Sequence, residues 1–195
     1  MKNRFPDVVS ELKESPDRKV KGPSPYVGII IHHTGIGSDD PKKIDAIRWG
    51  QRLASVVGWL TASDPNYVSA HFVIGREGEC VQLVDPDGDI AFHAGVSEFF
   101  HPLERKIIKN WNQFAVGVEL VGDGDRGDYS DDQYHTLSKL CAHLMERYKD
   151  IDPRCIVGHE NISIGRKTDP GRYFDWRRFT LLLGMYRQEL EQVSR

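Results

Sequence analysis

The chain has 195 residues, 39% of them hydrophobic and 28% charged, with 26 Lys and Arg against 29 Asp and Glu for a net charge of -3. At about 150 residues per domain this length fits one compact core, and the composition excludes collagen, a coiled coil and a disordered chain. The negative balance excludes a polyanion held by bulk charge, so nucleic acid is not expected as a partner and specificity has to come from a site.

The longest apolar runs, such as residues 27–31 and 180–185, fall well short of the roughly 20 residues that span a bilayer, so no membrane insertion is expected. The start, MKNRFPDVVSELKES, puts charges and a proline where a secretory signal needs an apolar stretch. A cytoplasmic protein without an ordinary export signal is the expectation. Cys80, Cys141 and Cys155 are odd in number and widely spaced, which fits packed thiols in a reducing compartment rather than a disulfide framework.

Residues 1–25 mix charges with Pro6, Pro16, Pro23 and Pro25 and read as an arm wrapped on a domain of residues 26–195. Residues 26–31 form a β-branched run of the kind buried on both faces of a sheet, ending at His32 and His33. Asp40 followed by Pro41 reads as a helix start, and Ile44, Ile47, Leu53, Val56, Val57 and Leu60 continue at approximate helical spacing. After a turn at 63–66, residues 71–74 and 80–84 flank Arg76-Glu77-Gly78-Glu79 as a hairpin. Residues 90–93 add a strand, and residues 114–121, apolar except for Glu119, read as a buried central one. Ser130 and Gln133 form a capping box ahead of Tyr134, Leu137, Cys141, Leu144 and Tyr148 at helical spacing. Residues 155–157 are a short strand running into a polar loop at 158–171, and Asp175 caps a last helix with Trp176, Phe179, Leu183, Tyr186 and Leu190 inward. The order β-α-β-β-β-β-α-β-α predicts an α/β fold, a mixed central β-sheet flanked by helices on both faces.

His32 shares a face with Tyr26, Gly28 and Ile30, whereas His33 must point the other way because side chains alternate along a strand. By position alone such a histidine is more often a hydrogen-bonded core residue than a ligand. His159 and Asp169 lie in the loop at 158–171, and with His32 they would supply three ligands and leave a fourth tetrahedral position for water, as catalytic zinc sites do. Spacing leaves the alternative open that His159 caps a turn and Asp169 opens the Asp-Pro-Gly turn. Burying Glu119 in an apolar strand costs several kcal/mol without a partner, which points to a general base or to a structural salt bridge. Lys167 stands two residues before Asp169, where a cation would hold a developing oxyanion; a solvated lysine is the plainer reading. The cluster of Arg166, Lys167, Arg172, Arg177 and Arg178 lacks the aromatic interleaving of a nucleic-acid binder.

Taken together, the segments IIIHHT (29–34), SAHFVI (69–74), FHAG (92–95), NQFAVGVEL (112–120) and GHENISIGRKTDPG (158–171) resemble the type 2 N-acetylmuramoyl-L-alanine amidases, with matching order and spacing from about residue 26 to 176. The resemblance implies one zinc ion (Zn2+) per chain, held by His32, His159 and Asp169, with Glu119 and Lys167 as the catalytic pair. It implies hydrolysis of the amide between the lactyl group of N-acetylmuramic acid and the L-alanine of the stem peptide. The partners implied are peptidoglycan or soluble muropeptides, met by a monomer. Two settings fit: muropeptide recycling, or wall degradation by a phage or prophage endolysin that reaches the wall by holin-type release. Asp169, where many relatives carry cysteine, and Ala70, where other branches carry a catalytic tyrosine, favour the AmpD-like branch; Tyr67 does not occupy that tyrosine position. Thr34, His71, His93 and Arg166 are expected to line the substrate pocket or to support the ligands. The alternative is a peptidoglycan-recognition module that binds without cleaving, and the presence of all three ligand types favours the enzyme.

Overall fold

A computed structural model of the protein describes residues 2–20, 22, 25–35, 49–62, 68–127 and 129–193. The helix start predicted at Asp40 and Pro41, its residues Ile44 and Ile47, the turn at 63–66, Tyr67 and Pro23 lie outside these residues. In chain order the strands and helices are β1 (Glu11–Leu12), β2 (Arg18–Val20), β3 (Gly28–His33), α1 (Trp49–Thr61), β4 (Phe72–Ile74), β5 (Cys80–Gln82), β6 (Asp89–Ala91), β7 (Glu98–His101), β8 (Lys106–Lys109), β9 (Ala115–Leu120), α2 (Asp131–Arg147), β10 (Ile156–Gly158), α3 (His159–Ile162) and α4 (Trp176–Val193). Six strands form the main sheet in the order β1-β5-β4-β9-β3-β10, with β4 and β5 antiparallel and the other neighbours parallel.

The central strands β3 and β9 are apolar on both sides because both sides are covered. Ile29, Ile31, Val116, Val118, Phe72 and Ile74 pack under α2 and α4, meeting Tyr134, Leu137, Cys141 and Leu144 of α2 and Phe179 and Leu183 of α4. Each large side chain so buried is worth about 1.5–3 kcal/mol. On the opposite face Val57 and Leu60 of α1 cover Val73 and Val81, while Ile30 packs with Trp111 beneath the β7–β8 hairpin. The predicted mixed sheet with helices on both faces is the observed one. Both helix starts have the chemistry read from the sequence. Gln133 N donates to Ser130 Oγ at 3.2 Å while Ser130 N donates to Gln133 Oε1 at 3.1 Å, and Arg178 N donates to Asp175 Oδ1 at 2.9 Å.

Several elements depart from expectation. Tyr26 lies before the strand begins, so alternation does not reach it, and it packs with Ile29 and Ile31 rather than on the His32 face. The strand predicted at 90–93 is β6, which pairs with β2 in a separate two-stranded sheet and ends before His93. The polar loop at 158–171 opens with the helical turn α3. The β7–β8 hairpin was not expected at all. Residues assigned to the arm supply β1 and β2; Ser10 N, Lys13 N and Ser15 N donate to the carbonyls of Cys80, Gln82 and Leu83, each at 2.9 Å, along the outer edge of β5. All three cysteines are buried and free, as packed thiols should be.

One charged knot ties this edge to α2. Asp87 accepts from Arg147 Nε at 2.9 Å and Tyr148 OH at 2.6 Å, and Arg4 Nε lies 3.0 Å from its other oxygen. Burial opposes ionisation here, but the bonds from Arg147 and Tyr148 outweigh it and keep the carboxyl below its ordinary range. A depressed carboxylate stabilises the fold above its unfolded pKa and loses that contribution as pH falls through the folded one. Asp87→Asn is therefore expected to cost about 1–2 kcal/mol at pH 7. The gap in urea midpoint between parent and variant should shrink below pH 4; a gap independent of pH would assign the loss to shape alone.

Candidate active site

The chemistry-bearing residues meet where the parallel strands end. Register places His32 of β3 beside Glu119 of β9, so both side chains rise from the same face of the sheet. β10 ends at Gly158, which delivers His159 at the first position of α3. The loop then folds back, with Glu160 N donating to Asp169 O at 2.9 Å and Tyr129 OH donating to Pro170 O at 2.6 Å. Gly158 is required there: a Cβ would stand 2.5 Å from Pro170 Cδ.

His32, His159 and Asp169, distant in sequence and all buried, converge on one point. His32 Nδ1 is 3.0 Å from His159 Nδ1 and 3.0 Å from Asp169 Oδ2, and His159 Nδ1 is 3.1 Å from the same oxygen. The remaining ring nitrogens are engaged elsewhere: His159 Nε2 is 3.1 Å from Ala94 O, and His32 Nε2 is 2.9 Å from His93 Nδ1. Burial lowers the His32 pKa to about 4, outweighing the pull of Asp169, so the ring is neutral at physiological pH. Two imidazoles and a carboxylate turned toward one point form the donor set of a borderline divalent cation, and the mutual spacings suit one face of a tetrahedron. The residues present fit zinc.

The adjoining cleft, about 360 Å³ in volume, is lined by Thr34, Trp59, Val68, Glu119, Arg166, Lys167 and Thr168 along with the three converging residues. Glu119 opens toward it, yet its Oε2 is buried and has no hydrogen-bond partner among the described residues. Lys167 is exposed on the rim. Thr34 Oγ1 accepts from Gly122 N at 3.3 Å. Arg166 stitches two loops together through Ala94 O, Val96 O and Ser163 Oγ at 2.7–2.9 Å. His71 is not in the pocket: fully buried behind it, its Nδ1 accepts from Gly117 N at 3.0 Å and its Nε2 faces Tyr26 OH at 3.0 Å. The sequence reading missed Asn112, whose Oδ1 accepts from His93 N at 2.9 Å and Ala94 N at 2.7 Å and so sets the FHAG turn. Its presence in the NQFAVGVEL segment was the available signal. A second group, His33 with Asp123 and Asp125, is engaged in bonds that shape its own loop: Gly124 N to His33, Asp125 N to Asp123 and Thr168 Oγ1 to Asp125.

Burial pushes the Glu119 carboxyl up to about 8, with the Asp169 carboxylate adding to the rise and Lys167 opposing it. In metal-free protein the fold thus favours the neutral carboxyl. That contribution is complete below about pH 4.5 and drains away as pH rises toward 8. Glu119→Gln should raise the unfolding free energy of metal-free protein by several kcal/mol at pH 8 and leave it nearly unchanged at pH 4.5. Urea titrations at the two pH values check this, and equal gains at both would point to packing instead.

Residues 22–172 match the family described as N-acetylmuramoyl-L-alanine amidase. The 1,6-anhydro-N-acetylmuramyl-L-alanine amidase AmpD of Haemophilus influenzae is 43% identical over 112 residues, covering 57% of this chain and 56% of that protein. The chain thus spans a little over half the length of the curated relatives it matches. Among solved structures, a selenomethionine derivative of AmpD superposes with a TM-score of 0.67 at 31% identity, covering 89% of this chain and 93% of the other. AmpDh3 of Pseudomonas aeruginosa, solved in complex with anhydromuramic pentapeptide, gives a TM-score of 0.60 at 25% identity over 89% of this chain and 71% of its own.

Proposed function

The chain belongs to the N-acetylmuramoyl-L-alanine amidase family, and from that premise we propose that it is a zinc hydrolase cleaving the amide between N-acetylmuramic acid and L-alanine in soluble anhydro-muropeptides. One observation carries the reading. His32, His159 and Asp169 converge within 3.1 Å of one another beside Glu119, whose buried Oε2 has no hydrogen-bond partner among the described residues. The anhydro form of the substrate is supported by the names of the relatives and by the ligand of AmpDh3.

His32, His159 and Asp169 would hold the ion. When bound, zinc acts as a Lewis acid that makes water a better nucleophile at neutral pH and polarises a carbonyl. Glu119, at the cleft's wall, takes as a carboxylate the proton of the attacking water and hands it to the departing L-alanine nitrogen. The Lys167 ammonium on the rim balances the negative charge that grows on the carbonyl oxygen. All these groups come from one chain, as action by a monomer requires. Residues 26–195 act as the catalytic domain, with residues 1–25 as the arm. No helix among the described residues is long and apolar enough to cross a membrane, which accords with a recycling role in the cytoplasm.

The test is to give zinc-loaded protein both purified anhydro-muropeptides and intact sacculi and to follow free stem peptide by mass spectrometry, with a chelated control. Metal-dependent release from the soluble fragments is expected. Release from sacculi alone would replace the recycling role with a wall-lytic one, and release from neither would leave a recognition module.

A further inference from the structure

We infer that His93 is a positioning residue that fixes which nitrogen of His32 is offered to the metal; this rests on the zinc reading above. His93 is buried and comes from the segment after β6, away from the strands that carry the ligands. Its Nε2 lies 3.2 Å from the carbonyl oxygen of Ala115, which can only accept, so the proton of the neutral ring sits on Nε2. Its Nδ1 is then a lone pair, and 2.9 Å away stands His32 Nε2. That nitrogen must donate, leaving His32 Nδ1 bare and turned toward His159 and Asp169. The proton order thus runs from a main-chain carbonyl through two rings to the ligand atom, the outer support that metal-bound histidines commonly need.

The niche for this relay is cut by a residue that touches no ligand. A Cβ on Gly117 would stand 2.4 Å from His93 Cγ, so only glycine at that position of β9 lets the imidazole lie against the strand. Main-chain bonds from His93 N and Ala94 N to Asn112 Oδ1 hold the segment from the other side.

Zinc affinity, measured on the full chain by competition with a chromogenic chelator, distinguishes this relay from simple packing. His93→Leu is expected to weaken zinc binding by about 10–100-fold. His93→Gln, whose amide can accept from His32 and donate to Ala115 O, should stay within about threefold of the parent. Gly117→Ala should fall in the range of His93→Leu, and combining the two should cost no more than the worse single change. A leucine variant as tight as the parent, or a glutamine variant as weak as the leucine one, overturns the inference. Should the leucine variant fail to fold, nitrogen-15 shifts of the His32 ring in the metal-free parent decide it: protonation at Nε2 supports the relay, and protonation at Nδ1 overturns it. Failure of the function reading looks different, being a parent that binds zinc with the relay intact yet releases no peptide.

Discussion

Replacing Glu119 with Ala is expected to leave zinc at one ion per chain while lowering turnover of anhydro-muropeptide by about 1000-fold, within the range usual for loss of a positioned acid–base group. The separation follows from where the side chain sits. Glu119 is aligned with His32 across the β3–β9 ladder but is not one of the three converging donors, so its removal leaves the ligand triangle intact. What disappears is the one carboxyl in the cleft whose buried oxygen has no other partner among the described residues. If it accepts the water proton and returns it to the amine, kcat should fall far more than KM rises, because the group acts on the transition state rather than on bound substrate. Metal analysis after dialysis and steady-state kinetics on the same preparation provide the two readouts. Undiminished turnover would remove Glu119 from the reaction, whereas joint loss of zinc and turnover would recast it as a support for the metal.

Asp169→Ala should have the complementary outcome, with metal and activity lost together. Asp169 Oδ2 is the common neighbour of both histidine nitrogens and the only anionic donor of the three, so the two imidazoles left behind would hold zinc at least about 100-fold more weakly. An ion that binds only the folded chain stabilises it by about 2.7 kcal/mol at a hundredfold excess over Kd, or roughly 5–10 °C in Tm for a domain of this size. The parent should therefore melt higher with added zinc, and the variant should not. A zinc-dependent rise of the same size in Asp169→Ala would place the ion elsewhere.

What could be read from the sequence, and what could not, has a physical pattern. β3 and β9 were legible because an unbroken apolar run is what burial on both faces demands, and α2 because Ser130 and Gln133 announce its start before any side chain packs. β1 and β2 are two and three residues long, too short for periodicity to register, and their existence depends on the edges they join. The β7–β8 hairpin turns through Arg105, with φ at 51°, and the chain leaves β8 through Asn110, with φ at 60°, two places where glycine would have been the expected marker. In the site, Glu119 was visible as a carboxylate in an apolar strand, while the convergence of His32, His159 and Asp169 came from family resemblance because the loop's return path is not encoded in spacing. His93 could be expected to line the pocket or support a ligand, but not to act on a particular nitrogen of His32. Its function depends on a missing side chain at Gly117, on a different strand.

The parallel pairing of β1 along β5 also bears on how the protein would fail. Those few backbone bonds occupy the outer flank of the main sheet, and a chain trimmed before Ser15 would leave the carbonyls of Cys80 and Gln82 without their donors. Trimming would also take Phe5 and Val9 out of the core. An uncovered flank of that kind is a template for another molecule's strand, so clipping far from the metal would show itself first as concentration-dependent self-association.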